Sequence, residues 1–154
     1  MLPPLVGCAL LAVAFLPVGQ AASSTCSVSR LNPVKQRPEF ELGTTRLAVS
    51  LPKNATHFAP KGWVERDGSI RIKVGWLSPS GGPRGFPNGG PLVTGRRLDR
   101  PAAPLRVRMG VKSFALGSGE FYPSSLHFPT VGCWRITAQN AKTSLTFTVR
   151  LVRR

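Results

Sequence analysis

Carboxylates are scarce in this chain. Among 154 residues only Glu39, Glu41, Glu65, Asp67, Asp99 and Glu120 are acidic, against 21 Lys+Arg. Two histidines, His57 and His127, complete the short roster of proton carriers and hard metal ligands. A metal cage needs three or four convergent ligands, and no carboxylate stands at a ligand-like spacing from either histidine, so no metal and no cofactor are expected. Glycoside hydrolysis needs two carboxylates across a cleft. Glu65 and Asp67 flank a tight turn, and turn chemistry accounts for Asp67 without catalysis. No Gly-x-Ser-x-Gly elbow precedes a downstream Asp and His, and Ser118 sits in a flexible Gly117-Ser118-Gly119 turn. Cys133 and His127 are the one conceivable nucleophile–base pair, and a disulfide at Cys133 abolishes it. The glycine-rich stretch 78–91 lacks the Lys-Ser/Thr or helix start that a phosphate loop requires. The expectation is a protein that is not an enzyme.

Charge is also missing from the first 21 residues, where Leu5 to Leu16 form an apolar run too short for a confident membrane span. Gly19-Gln20-Ala21 places small residues where a signal peptidase cuts. The expected organisation is a signal peptide over 1–21, an extended segment over 22–40, and one domain over 41–154. Export leaves Cys26 and Cys133, and an oxidising compartment favours a single bridge between them; two buried or free thiols are the alternative. Asn54-Ala55-Thr56 is formally a glycosylation acceptor of little weight.

Amphipathic helices are absent too. What is present is alternation with period two, the signature of half-buried strands. It appears at Thr44–Leu51, at Ile70, Ile72, Val74 and Trp76 after the Asp67-Gly68 turn, at Leu92–Thr94, at Leu105–Met109, at Trp134, Ile136 and Ala138, and at Leu145, Phe147, Val149 and Leu151. Phe114, Leu116, Phe121, Leu126 and Phe128 are expected core residues in a mixed stretch. Residues 78–91 hold five glycines and four prolines, which no strand ladder survives; Phe86 is an expected anchor of that loop. Seven or eight short strands with frequent turn signals predict an all-β fold, an antiparallel β-sandwich of immunoglobulin-like type.

Two motifs carry a resemblance. Gly95-Arg96-Arg97-Leu98-Asp99 leads to Pro101-Ala102-Ala103-Pro104-Leu105-Arg106, and Phe128-Pro129-Thr130-Val131-Gly132-Cys133-Trp134-Arg135-Ile136-Thr137 leads to Ser144–Val149. Together they resemble a family of small secreted bacterial proteins with a C-terminal GRRLD…PPLR run followed by FPxxGCWxxT…LTFV. The resemblance covers 95–149 well and 26–76 loosely; Ser27 stands where that family has proline. It implies a bacterial source and export, and supports the Cys26–Cys133 bridge. It brings no activity with it. Because Cys133 and Trp134 are adjacent, they face opposite sides of their strand. With Trp134 in the core, Cys133 is expected on the outer face or at the strand entrance, unless a bulge at Gly132 intervenes.

The net charge of +15 is the remaining feature. Arg71, Lys73, Arg106, Arg108 and Arg150 fall at outward strand positions, and Arg96-Arg97 form a doublet. Six acids can pair at most six of the 21 bases one-to-one. The remainder form either a solvated face or a contact surface for a polyanion. No aromatic interleaving or nucleic-acid motif is seen, so the partners expected are anionic cell-envelope polymer or lipid headgroups rather than specific nucleic acid. Three readings follow: an exported, non-catalytic binding domain at the cell envelope, a purely structural secreted domain with incidental charge, or a hydrolase with its site near 78–91.

Overall fold

The computed structural model describes residues 26–51, 61–83, 89–116 and 119–153. The segment 1–21 expected to be a signal peptide, Asn54-Ala55-Thr56, His57, Phe86 and Ser118 lie outside the described residues.

Two antiparallel sheets pack face to face as an all-β sandwich. The strands, in chain order, are β1 (Leu42–Thr44), β2 (Leu47–Ser50), β3 (Ile70–Leu77), β4 (Leu92–Arg97), β5 (Arg106–Met109), β6 (Ser113–Leu116), β7 (Gly119–Phe128), β8 (Gly132–Gln139) and β9 (Ser144–Leu151). The large sheet runs β1-β2-β3-β7-β5, with β6 also paired to β7. The small sheet runs β4-β8-β9.

Alternation decides which residues meet between the sheets. Ile70, Ile72, Val74 and Trp76 from β3 join Tyr122, Leu126 and Phe128 from β7. They meet Trp134, Ile136 and Ala138 from β8 and Phe147, Val149 and Leu151 from β9. The buried indoles keep their hydrogen bonds: Trp76 Nε1 donates to Ser124 Oγ at 2.8 Å, and Trp134 Nε1 to the Thr130 carbonyl at 3.0 Å. Both would otherwise be buried donors without acceptors, which is costly.

Several elements differ from the sequence reading. The described chain has nine strands rather than seven or eight. Thr44–Leu51 is not one strand; a turn at Thr45-Arg46 makes β1 and β2 a hairpin. The first arm before Asp67-Gly68 is reduced to a single bridge, Val64 to Ile70. The turn itself is as expected: Asp67 Oδ1 accepts from the Ser69 amide at 2.9 Å, and Gly68 takes φ of 78°. The strand beginning at Leu92 runs on to Arg97, because β8 pairs with it over its whole length. Phe114 is not a core residue. It is 68% exposed, since β6 pairs with β7 alone and lies off the main path of the large sheet.

The N-terminal segment is a strap. Its Ser29 amide donates to the Thr148 carbonyl at 3.0 Å, and Ser29 Oγ accepts from the Thr148 amide at 3.0 Å, along the edge of β9. It then crosses to the large sheet, where Val34 and Phe40 cluster with Ala48, Leu77 and Phe121. These three strand residues point away from the main core, so the strap builds a satellite core on the outer face.

One bond anchors the strap. Cys26 and Cys133 form a disulfide across a separation of 107 residues. Cys133 is 2% exposed yet belongs to neither apolar cluster, while its neighbour Trp134 is fully buried in the main core. Loop-closure entropy for so long a loop is worth about 4–5 kcal/mol. Replacing both cysteines by serine is therefore expected to lower the unfolding free energy by about that amount, measured by denaturant titration. Peptide mapping without reductant should recover Cys26 and Cys133 in one linked fragment; two free thiols would refute the pairing.

Candidate polyanion interface

The outer face of the large sheet is a grid whose rows follow from strand register. Strand β7 lies between β3 and β5. Gly75, Lys73 and Arg71 of β3 stand opposite Pro123, Ser125 and His127 of β7, and Arg108 and Arg106 of β5 stand opposite Ser125 and His127. Side chains of one parity share a face, so two parallel rows form: Arg71–His127–Arg106 and Lys73–Ser125–Arg108. Neighbouring strands lie about 4.8 Å apart and alternate residues about 7 Å apart. The four cations thus mark the corners of a rectangle about 10 Å by 7 Å at the backbone.

The middle strand keeps the cations from facing one another directly, an arrangement that would be destabilising on neighbouring strands. Glu65 neutralises one of them, at 2.7 Å from Arg71, in a pair about half exposed. Among the described residues no carboxylate lies within salt-bridge distance of Lys73, Arg106 or Arg108. Asp67 is nearby, and the Arg106 charge contributes to holding its carboxyl below the ordinary range, after the stronger effect of hydrogen bonds from Ser69.

His127 records this field. Burial is the first cause that lowers its pKa from 6.5, followed by the positive charges of Arg108, Arg106 and Arg71; Glu65 opposes them weakly. Its Nε2 is buried and without a hydrogen-bond partner. The ring is therefore neutral at pH 7, and the net charge of the grid resides on the four permanent cations. A shallow hollow of about 440 Å³ opens over Arg71, Arg106, Arg108 and His127, bounded by Glu65 to Asp67 of the adjoining turn.

The other sequence-selected cations are placed elsewhere. Arg96 points outward from the small sheet, directly opposite Arg135. Arg150 is exposed on β9 opposite Cys133. Arg97 is not available at the surface: its side chain is 4% exposed and forks onto Asp99, with Nε–Oδ1 at 2.6 Å and Nη2–Oδ2 at 3.1 Å. Its Nη1 donates to Thr130 Oγ1 at 2.8 Å. Gly132 has φ of 137°, and a Cβ there would collide with the Arg97 guanidinium. The Leu98 amide donates to the Cys133 carbonyl at 2.7 Å. The two sequence motifs thus form one structural joint, Arg97 being its key.

Cys133 is bonded to Cys26 and offers no thiol to His127. His127 belongs to the basic face rather than to a nucleophile pair, and Arg135 is a further outward cation, on the small sheet. Arg135 was accessible to the sequence reading, because the β8 alternation that buries Trp134 and Ile136 turns Arg135 outward. His127 required knowing that β7 separates β3 from β5. Neither a family model nor a curated protein matches the chain.

Three outcomes test this geometry. Asp99 is held at about 2, mainly by the hydrogen bond from Arg97. A carboxylate lowered in the folded state stabilises above its unfolded pKa, near 3.8, and loses that contribution as pH falls through about 2. Asp99→Asn is thus expected to cost about 1 kcal/mol at neutral pH, after allowance for solvent screening, and nothing near pH 1. Gly132→Ala should cost about 2–3 kcal/mol from backbone strain alone at all pH values. For the face, a proton NMR titration of His127 should give a midpoint below 6.5, moving upward in Arg106→Gln/Arg108→Gln.

Proposed function

We propose that this protein is an exported, non-catalytic β-sandwich that binds an anionic polymer of the bacterial cell envelope through the outer face of its large sheet. The observation that carries this reading is the convergence of Arg71, Lys73, Arg106 and Arg108 in two registered rows, with one carboxylate among them in ion-pair contact. Arg71 and Lys73 lie on the strand after the Asp67-Gly68 turn, Arg106 and Arg108 some thirty residues later. Chain proximity did not cluster them; sheet register did.

The chemistry suits a flexible, repeating anion. Cations spaced about 7 Å along a strand can engage successive phosphates or carboxylates of one chain, and arginine forks bind such groups bidentately. Among the described residues of the face the only ring between the cations is the partly buried His127 imidazole, and no Phe, Tyr or Trp stands there as a platform on which bases would stack. Serine and histidine occupy the middle of the rows, so recognition rests on charge and spacing. Among the described residues no helix is long and apolar enough to cross a membrane.

Polyphosphate is a suitable probe. Each neutralised charge on a flexible strand contributes about −0.7 to the slope of log affinity against log salt. Four contacts predict a slope near about −3, or roughly a 50-fold loss between 50 and 200 mM salt. Arg106→Gln/Arg108→Gln should about halve the slope, whereas Arg96→Gln/Arg135→Gln, removing equal charge from the opposite sheet, should leave it nearly unchanged. Equal effects of the two pairs would show that binding follows net charge alone. Absence of binding at low salt would leave the structural reading, in which the charge is incidental.

A further inference from the structure

The basic rows end on a groove that charge alone does not explain. Beyond Lys73 and Arg108 the next row of the grid consists of Ser50, Gly75 and Pro123, with Gly110 closing it through an amide hydrogen bond to the Pro123 carbonyl at 2.7 Å. Beyond that again stands the satellite core, whose Phe121 forms the far wall. Small side chains between a row of cations and a wall of apolar residues leave a shallow, open groove of about 680 Å³. That is within the size range of small-molecule sites. Its lining is mostly carbon, from Gly75, Gly110, Phe121 and Pro123, with Lys73 and Arg108 bordering it.

After Gly110 the same edge of the sheet carries Val111, 69% exposed, and Phe114, 68% exposed. The register of the β5–β6 edge on β7 slips by one residue here, between Met109 opposite Ser124 and Ser113 opposite Phe121. A Cβ on Gly110 would come within 2.9 Å of the Pro123 ring, so the absence of a side chain there lets the edge lie close against the floor.

We propose that this groove receives the alkyl chain of an anionic amphiphile whose phosphate head is held between Lys73 and Arg108. The inference rests on the anion-binding reading of the face and names the rest of the ligand. Charge complementarity selects the occupant. A purely apolar molecule would cover Lys73 and Arg108 without pairing them, and a simple polyanion would leave the carbon-lined groove filled with water. A phosphate with an attached chain satisfies both: the head replaces the missing counter-charge and the chain buries apolar surface on both sides of the contact.

The test is calorimetric titration of the folded protein with dodecyl phosphate, kept below its micelle concentration, and with butyl phosphate. Burying even a few additional methylenes predicts at least about a tenfold tighter affinity for the longer chain. Ser50→Trp, which lays an indole over Gly75, should abolish that preference while leaving polyphosphate binding intact; Gly75→Val fills the same space if the first variant does not fold. Lys73→Gln/Arg108→Gln should weaken both alkyl phosphates. Equal affinity for the two chains, or a preference that survives both groove-filling variants, overturns the proposal. A chain-length preference without polyphosphate binding would instead overturn the polymer reading and leave the groove standing.

Discussion

Successive residues of a strand face opposite ways, and at Cys133–Trp134 that constraint organises the molecule. Trp134 turns into the sandwich and packs edge-on against Phe128, with ring centroids 5.4 Å apart. Cys133 must then turn outward, and its bond to Cys26 holds the N-terminal strap against the small sheet. The residue before them, Gly132, has no side chain, which admits the Arg97 guanidinium and its partners Asp99 and Thr130. Core, strap and joint therefore meet at three consecutive positions. The cost of a cross-link is strain if geometry resists it; here strand parity alone presents the sulfur to the side along which the strap runs.

The candidate face follows from where the strap travels. Having followed β9, it crosses to the large sheet and covers one part of the outer surface with Val34 and Phe40. The part it leaves bare is the basic grid. The boundary between the two is the row of small residues Ser50, Gly75 and Pro123. The sheet thus passes from an apolar covered zone through a carbon-lined groove to a cationic zone, all within four registered rows. The few carboxylates reinforce this division. Glu39 pairs with Arg37, Asp99 with Arg97 and Glu120 with Lys112, each with a residue close in sequence or across a hairpin, and only Glu65 reaches the grid. An ion pair on an exposed sheet face adds little stability, so leaving three grid cations without a carboxylate in contact costs the fold little.

The fold was legible wherever one face of a strand is buried and the other wet. Leu77, Cys133 and Thr148 face outward yet are covered, but β5, residues 70–73 of β3 and residues 134–139 of β8 satisfy that condition, and their alternation assigned both faces correctly. It failed where burial comes from both sides or from neither. In β2, Leu47, Ala48 and Val49 are all buried, because the strap covers the face opposite the core. In β7 the outward Phe121 is covered by that same strap while the outward His127 is only partly covered, so period two is blurred along one strand. Phe114 is hydrophobic and exposed because β6 leaves the paired sheets behind.

What the amino-acid sequence determined by itself is local: the parity of each strand, the Asp67-Gly68 turn, the opposite facing of Cys133 and Trp134, and the outward positions of Arg71, Lys73, Arg106 and Arg108. Each depends on backbone geometry within a few residues. Only the tertiary structure decided that β7 inserts between β3 and β5 and so sets those four cations in two rows around His127. It also decided that Arg97 is locked onto Asp99 while Arg96, its neighbour in the same doublet, stays at the surface. Strand order and register are set by contacts between residues distant in sequence, and the period-two pattern is the same whichever neighbour a strand acquires.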